Sequence, residues 1–101
     1  MSSALNSDQV QQKLDALDGW RLSHDGARIR KDWKVSNFLA GLSFFDRIAE
    51  VAEAMQHHPD LHLENYNQAW VEIWTHTVGG LTPADFELAE RIDQMAGYIE
   101  A

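Results

Sequence analysis

Four of the five histidines stand close together in the sequence, and histidine is the residue best suited to proton transfer near neutral pH. His57 and His58 precede Pro59, and His62 and His76 follow farther along the chain. Imidazole has an unperturbed pKa of about 6.5, so it can both donate and accept a proton at physiological pH. The chain has no cysteine, which excludes thiolate chemistry. The histidine-rich segment is therefore the first candidate for an acid–base site.

The composition limits the classes of protein to which the chain can belong. With 101 residues, 45% of them hydrophobic, it is expected to fold as a single domain over residues 1–101. A net charge of −8 disfavours direct binding to nucleic acid or to acidic membranes, because both need clusters of Lys and Arg. The N-terminus shows no signal-peptide pattern, and no apolar run approaches the roughly 20 residues of a membrane-spanning helix. These features predict a cytoplasmic protein that does not contact the membrane.

The first third of the chain predicts a helix followed by a hairpin. Ser7 and Asp8 are typical of a helix start, and Asp18-Gly19 is typical of a helix end. Two strands are predicted at residues 20–23 and 27–33, on either side of a turn with Asp25-Gly26 at its centre.

A longer helix is predicted from residue 38 to about residue 55, immediately before the histidine pair. It begins after Asn37 and must stop before Pro59, because proline disfavours helical backbone at the preceding residue. The glycine at position 41 indicates that another segment approaches the helix backbone closely. The predicted apolar stripe comprises Phe38, Leu42, Phe45, Ala49 and Ala52, widened by Ile48 and Met55.

A second hairpin is predicted from strands at residues 61–66 and 70–76, with its turn near Asn67-Gln68. In the last strand Trp70, Trp74 and His76 fall on one face, while the apolar side chains fall on the other. Two tryptophans on a face expected to meet solvent predict that another subunit covers this face or that it lines a ligand site.

The final helix is predicted to begin at Thr82-Pro83-Ala84-Asp85, with threonine as the cap, proline at the first position and a carboxylate at the third. The element order α-β-β-α-β-β-α predicts an α+β fold, in which a four-stranded antiparallel sheet carries three helices on one face. The core stripe predicted for this helix comprises Phe86, Ala89, Ile92, Ala96 and Ile99.

A set of residues between positions 53 and 85 has the spacing of a known family. The set comprises Glu53, His57, His58, Pro59, Tyr66, His76 and Asp85. At these intervals it resembles the pterin-4a-carbinolamine dehydratases, and the resemblance extends from about residue 14 to residue 99. It implies that His57, His58 and His76 are catalytic, and that Glu53, Pro59, Tyr66 and Asp85 support the site or bind substrate. Some family members carry an acidic residue where this chain has Gln56, which leaves the proton relay open.

The resemblance also implies a reaction and partners. Members of this family dehydrate a 4a-hydroxytetrahydropterin, a by-product of aromatic amino acid hydroxylases, to a quinonoid dihydropterin. The reaction removes a hydroxyl from C4a and a proton from N5, so it needs an acid and a base, which imidazoles supply without a metal or cofactor. The pterin is the substrate, the hydroxylase is the functional partner, and a homodimer or homotetramer is expected.

Other interpretations of the same residues stay open. His57 and His58 could merely cap the carbonyls of a helix terminus, and Asp85 could serve only as part of a helix cap. A zinc site is disfavoured, because adjacent histidines usually diverge and the chain lacks an HExxH motif.

A non-catalytic oligomeric interaction module is the alternative function. The resemblance raises it, since animal relatives act as dimerisation cofactors for a homeodomain transcription factor, and the outward Trp70 and Trp74 motivate it. Convergence of the histidines on one pocket within a single chain would favour catalysis.

Overall fold

The computed structural model describes residues 4–96, which form three helices and one four-stranded sheet. The elements are α1 (Ser7–Asp15), β1 (Arg21–Ser23), β2 (Arg28–Lys34), α2 (Phe38–Met55), β3 (Asp60–Glu64), β4 (Gln68–Ile73) and α3 (Pro83–Ala96). All neighbouring strands are antiparallel, in the order β1-β2-β4-β3, so the predicted α+β class and element order are confirmed.

Alternation along the central strands gives the sheet one apolar face and one polar, aromatic face. Ile29 of β2 lies opposite Ile73 of β4, and both are fully buried together with Val71. Residues of all three helices join these side chains in one hydrophobic cluster. The other face carries Trp70 and Glu72, whose side chains point away from the helices because successive residues of a strand alternate.

The C-terminal end of helix α2 determines where His57 and His58 leave the helix. Gln56 adopts a left-handed backbone with φ of +54°, and the N–H of His57 donates to the carbonyl of Ala52 at 3.0 Å. This pattern satisfies carbonyls of the last turn and turns the chain out of the helix. The predicted start at Asn37 is confirmed, since its side chain accepts a hydrogen bond from the N–H of Ala40 at 2.8 Å.

The apolar stripe predicted for α2 is partly wrong. Its buried residues are Gly41, Phe44, Ile48 and Ala52, whereas Phe38 and Leu42 are 50% and 42% exposed and Ala49 is also exposed. The close approach predicted at Gly41 is confirmed, because a Cβ atom there would lie 2.9 Å from the methyl carbons of Leu63. Packing against β3 therefore rotates the buried face of α2 away from the predicted one.

Several predicted boundaries also need correction. Helix α1 is capped by Asn6 and ends at Asp15, short of Gly19. Strand β3 ends at Glu64, so Tyr66 lies in the turn, and β4 starts at Gln68 and ends at Ile73. In α3 the predicted stripe omits the fully buried Leu88, and Ile99 lies outside the described residues. Within residues 4–96, no helix has the length and apolarity needed to cross a bilayer.

Candidate active site

Three histidines from two separate segments line one open pocket of about 350 Å³. His57 and His58 lie between α2 and β3, and His76 lies in the turn that follows β4. Because β3 and β4 pair antiparallel, the segment before β3 and the segment after β4 meet at the same end of the hairpin. The remaining lining residues are Gln56, Trp74, Thr75 and Thr77.

Asp85 is fully buried and accepts three hydrogen bonds, one of them from the pocket. The N–H of Thr82 and the hydroxyl of Thr75 each donate to Oδ2 at 2.8 Å, and Nε2 of His57 lies 2.5 Å from Oδ1. An ionised carboxylate can only accept, so the proton of a neutral His57 lies on Nε2 and the lone pair lies on Nδ1. Asp85 thus caps α3 and also determines which nitrogen of His57 can act as a base.

Two threonine hydroxyls hold Asp85 in place. The sequence predicts Thr82 only as a helix cap and assigns no role to Thr75. Thr75 has a single hydroxyl hydrogen, which it gives to Asp85, so the Thr82 hydroxyl must donate to Thr75 Oγ1 across 2.8 Å. A usable signal was present: Thr75 follows Val71 and Ile73 on the core-facing side of the strand. A hydroxyl in that position needs a polar partner.

His58 is also paired with a carboxylate, but in a wet environment. Its Nε2 contacts Oε2 of Glu53, which lies one turn earlier on α2. The side chains of His58 and Glu53 are 58% and 69% exposed, so water competes for both. The two adjacent histidines therefore have different surroundings: His57 bonds to the buried Asp85, whereas His58 bonds to Glu53 at the surface.

His76 lies at the start of a closed turn and stacks on Trp74. The N–H of Thr75 donates to the carbonyl of Gly80 at 2.9 Å, and the N–H of Gly79 donates back to Thr75 at 3.0 Å. Gly79 has φ of +63°, a backbone region that favours glycine. The imidazole of His76 lies 4.0 Å from the Trp74 ring, centroid to centroid, at an angle of 23°.

Some predicted site residues lie outside the pocket. Tyr66 is 59% exposed in the β3–β4 turn, at the opposite end of the hairpin from the histidines. Pro59 joins His58 to the first residue of β3. His62, which is not among the predicted site residues, stacks on Trp70 on the polar face of the sheet. Among residues 4–96, no group of three or more His, Cys, Asp or Glu side chains is placed to hold a metal ion.

The two outward tryptophans are covered by side chains of the same chain. The guanidinium carbon of Arg30 lies 4.5 Å from the centre of the Trp70 ring, and that of Arg28 lies 4.4 Å from the Trp74 ring. Arg30 also donates hydrogen bonds to Asp32, which lowers the pKa of that carboxyl below its usual value. The sequence predicts that a subunit covers these rings or that they line a ligand site. Arginines of the same chain lie over both rings, and Trp74 also lines the pocket.

Comparison with known proteins gives consistent results. The family model described as pterin 4 alpha carbinolamine dehydratase matches residues 3–95. Pterin-4-alpha-carbinolamine dehydratase 2, mitochondrial, of Arabidopsis thaliana is 43% identical over 94 residues, which cover 91% of this chain and 50% of that protein. This chain therefore spans about half the length of that relative.

Two further relatives match over nearly their whole length. A Sulfolobus acidocaldarius protein, named as a candidate pterin-4-alpha-carbinolamine dehydratase, is 35% identical over 91 residues, which cover 90% of this chain and 97% of that protein. The crystal structure of a transcriptional coactivator/pterin dehydratase from Brucella melitensis superposes with a TM-score of 0.87 at 29% identity, covering 94% of this chain and 100% of that one.

Proposed function

The chain belongs to the pterin 4 alpha carbinolamine dehydratase family, and from that premise we propose that its histidine pocket dehydrates a 4a-hydroxytetrahydropterin. One observation carries the proposal: His57, His58 and His76 come from two segments and line one pocket of a single chain. Elimination of water from the carbinolamine needs one group that gives a proton and another that takes one. A pocket with several imidazoles supplies both.

His57 is the base in this mechanism. Its Nδ1 lone pair accepts the N5 proton, and the electrons of the N5–H bond form the C4a=N5 double bond. The imidazolium that results lies against the buried Asp85 carboxylate, whose charge stabilises it. His76, from the other segment, protonates the hydroxyl on C4a, which leaves as water, and the exposed His58 contacts the substrate.

The test is the decay rate of an enzymatically generated 4a-hydroxytetrahydropterin. His57→Ala and His76→Ala are expected to fold normally and to lose about 10²–10⁴-fold in kcat, the usual contribution of a positioned proton-transfer group. His62→Ala is the matched control, since this histidine stacks on Trp70 away from the pocket and should retain the parent rate. Parent-like rates for both pocket variants would refute the proposal.

The physiological setting follows from the same proposal. The substrate is the pterin by-product of an aromatic amino acid hydroxylase, which is the functional partner, and the reaction recycles the tetrahydrobiopterin cofactor of that enzyme. The chain acts without a metal or cofactor of its own. The cytoplasm stays the predicted compartment, while the Arabidopsis thaliana relative is named as mitochondrial.

A second candidate function is that of an oligomeric interaction module. Phe38, Leu39 and Leu42 are 50%, 73% and 42% exposed at neighbouring positions of α2, and so much exposed apolar surface is typical of an interface. It supports a homodimer or homotetramer formed through α2. The name of the Brucella melitensis structure, transcriptional coactivator/pterin dehydratase, also favours an interaction role.

Sedimentation velocity tests this interface. Leu39→Glu places a charge in the apolar surface and is expected to shift the protein to a smaller species. Ala54→Glu adds the same charge at an exposed position near the other end of α2 and should leave the distribution unchanged. Equal sedimentation of parent and Leu39→Glu would exclude this surface as the interface.

A further inference from the structure

The imidazole of His76 stacks on an aromatic neighbour, Trp74. His76 is exposed on the turn after β4, where a side chain would ordinarily sample several staggered rotamers. Its imidazole instead lies on the indole of Trp74, with 4.0 Å between ring centroids and 23° between planes. This near-parallel geometry is one of the preferred arrangements of aromatic pairs.

Trp74 is itself held by residues of two other strands. Its indole N–H donates to Oδ2 of Asp60 in β3 at 3.3 Å. The guanidinium of Arg28 in β2 lies 4.4 Å from the ring centre, and the same guanidinium lies 3.5 Å from Asp60. The indole is thus held in place by Asp60 and Arg28 of the sheet, and it also stacks with the imidazole of His76.

We propose that Trp74 is a positioning residue for His76, holding its imidazole in the orientation from which it exchanges a proton with the substrate. The inference rests on the proposed dehydratase function. A general acid must come within hydrogen-bond reach of the group that it protonates, so rotamers that turn the ring away are unproductive. Stacking on Trp74 favours one rotamer before the substrate arrives and thereby raises the fraction of productive encounters.

A different role for Trp74 has a different kinetic signature. Trp74 also lines the pocket, so its ring could be a platform on which the planar pterin stacks. Loss of a platform weakens substrate binding and raises KM, whereas loss of a positioned acid lowers kcat with KM unchanged.

The kinetic test compares three variants in the carbinolamine decay assay. Trp74→Leu is expected to lower kcat by about two- to twelvefold, the range that corresponds to one aromatic pair, with KM unchanged. Trp74→Phe keeps a ring for stacking but loses the indole N–H, and should recover most of that rate. A raised KM with parent kcat in Trp74→Leu would overturn the proposal in favour of a platform.

The chain offers a matched control for effects on the sheet. Trp70 has the same kinds of neighbours, with Arg30 at 4.5 Å and His62 stacked at 4.8 Å, but its histidine lies outside the pocket. Trp70→Leu should therefore retain the parent kcat. An equal loss in Trp70→Leu would show that general damage to the sheet explains the effect, and the proposal would fail.

A double-mutant cycle and a spectroscopic measurement complete the test. Once His76→Ala has been made, Trp74→Leu should lower the rate no further, and a multiplicative loss would contradict the proposal. In proton NMR spectra, the indole ring current should shift the ring protons of His76 upfield in the parent and in Trp74→Phe, but not in Trp74→Leu. Unchanged His76 ring-proton shifts in Trp74→Leu would show that His76 does not stack on Trp74, and the proposal would fail.

These readouts separate failure of the inference from failure of the proposed function. A parent chain that does not accelerate dehydration refutes the proposed function, while the NMR comparison still decides whether Trp74 orients His76. If Trp74→Leu does not fold, Trp74→Phe and the parent spectrum carry the test. An active parent whose His76 protons show no ring-current shift refutes the inference alone.

Discussion

Asp85→Asn is expected to reverse the tautomer of His57 while leaving the fold in place. In the parent, Oδ2 accepts from the Thr82 N–H and the Thr75 hydroxyl, and Oδ1 faces Nε2 of His57. Asparagine has one side-chain oxygen, and the two donors require it at the Oδ2 position. Its NH₂ group then faces His57, which must accept through Nε2 and carry its proton on Nδ1. The nitrogen assigned as the base no longer has a lone pair.

The expected magnitudes differ sharply between rate and stability. Loss of a positioned base lowers kcat by about 10²–10⁴-fold. A hydrogen bond to a charged group contributes about 1.5–3 kcal/mol and a neutral one about 0.5–1.5 kcal/mol, so three weakened bonds bring the loss to a few kcal/mol at most. Asparagine is neutral, so the variant no longer buries a charge, which offsets part of this loss. We expect the free energy of unfolding to fall by about 1–3 kcal/mol. A typical domain stays folded after such a change.

The assay pairs the decay rate of the 4a-hydroxytetrahydropterin with chemical denaturation of the same samples. Glu53→Gln is the matched comparison, because it changes the other histidine–carboxylate pair, which is exposed and where water can replace the lost contact. We expect Glu53→Gln to lower kcat less than about tenfold, well below the range for a positioned group. A folded Asp85→Asn protein with the parent rate would refute the tautomer assignment.

Three further predictions concern packing, hydrogen bonding and pH. Gly41→Ala places a Cβ 2.9 Å from Leu63 and should lower the unfolding free energy in urea by about 1 kcal/mol, since overpacking outweighs the better helix propensity; equal or greater stability would contradict this contact. Thr75→Val should destabilise by about 1–3 kcal/mol because it leaves buried polar partners unsatisfied, while Thr75→Ser should stay close to the parent. The lowered pKa of Asp32 beside Arg30 stabilises the folded state above the unfolded carboxyl pKa of about 3.9, and this is lost as pH falls through the lower folded value. The thermal unfolding temperature of Asp32→Asn should therefore depend slightly less on pH below 4 than that of the parent. An equal pH dependence in both proteins would count against a stabilising interaction between Asp32 and Arg30.

Local sequence signals were enough to predict the helices and strands that position the site. The side chains of Asn37 and Asp85 each accept a hydrogen bond from a backbone N–H three residues away, so the starts of α2 and α3 can be read from the sequence. The strand alternation around Val71 and Ile73 likewise reports burial directly. Since β3 and β4 form a hairpin, the approach of His76 to His57 also follows from local order along the chain.

Features that depend on distant partners could not be predicted. The first turns of α2 carry apolar side chains on several sides, so periodicity alone does not select the buried face, and Leu63 of β3 decides it at Gly41. The rings of Trp70 and Trp74 were expected to need a subunit or a ligand, because the sequence does not show that arginines of β2 lie over them. The supporting role of Tyr66 stays a prediction.

Asp85 bonds both to His57 and to the backbone at the start of α3, and this affects how active and inactive relatives can be distinguished. A relative that has lost catalysis could still keep this aspartate, because its Oδ2 stabilises the start of α3 whether or not the chain is an enzyme. Its presence is therefore a poor diagnostic of enzymatic activity. Under the proposed mechanism, His57 and His76 are the positions to inspect when an active dehydratase must be distinguished from a purely structural homologue, because neither of them bonds to the backbone at the start of α3.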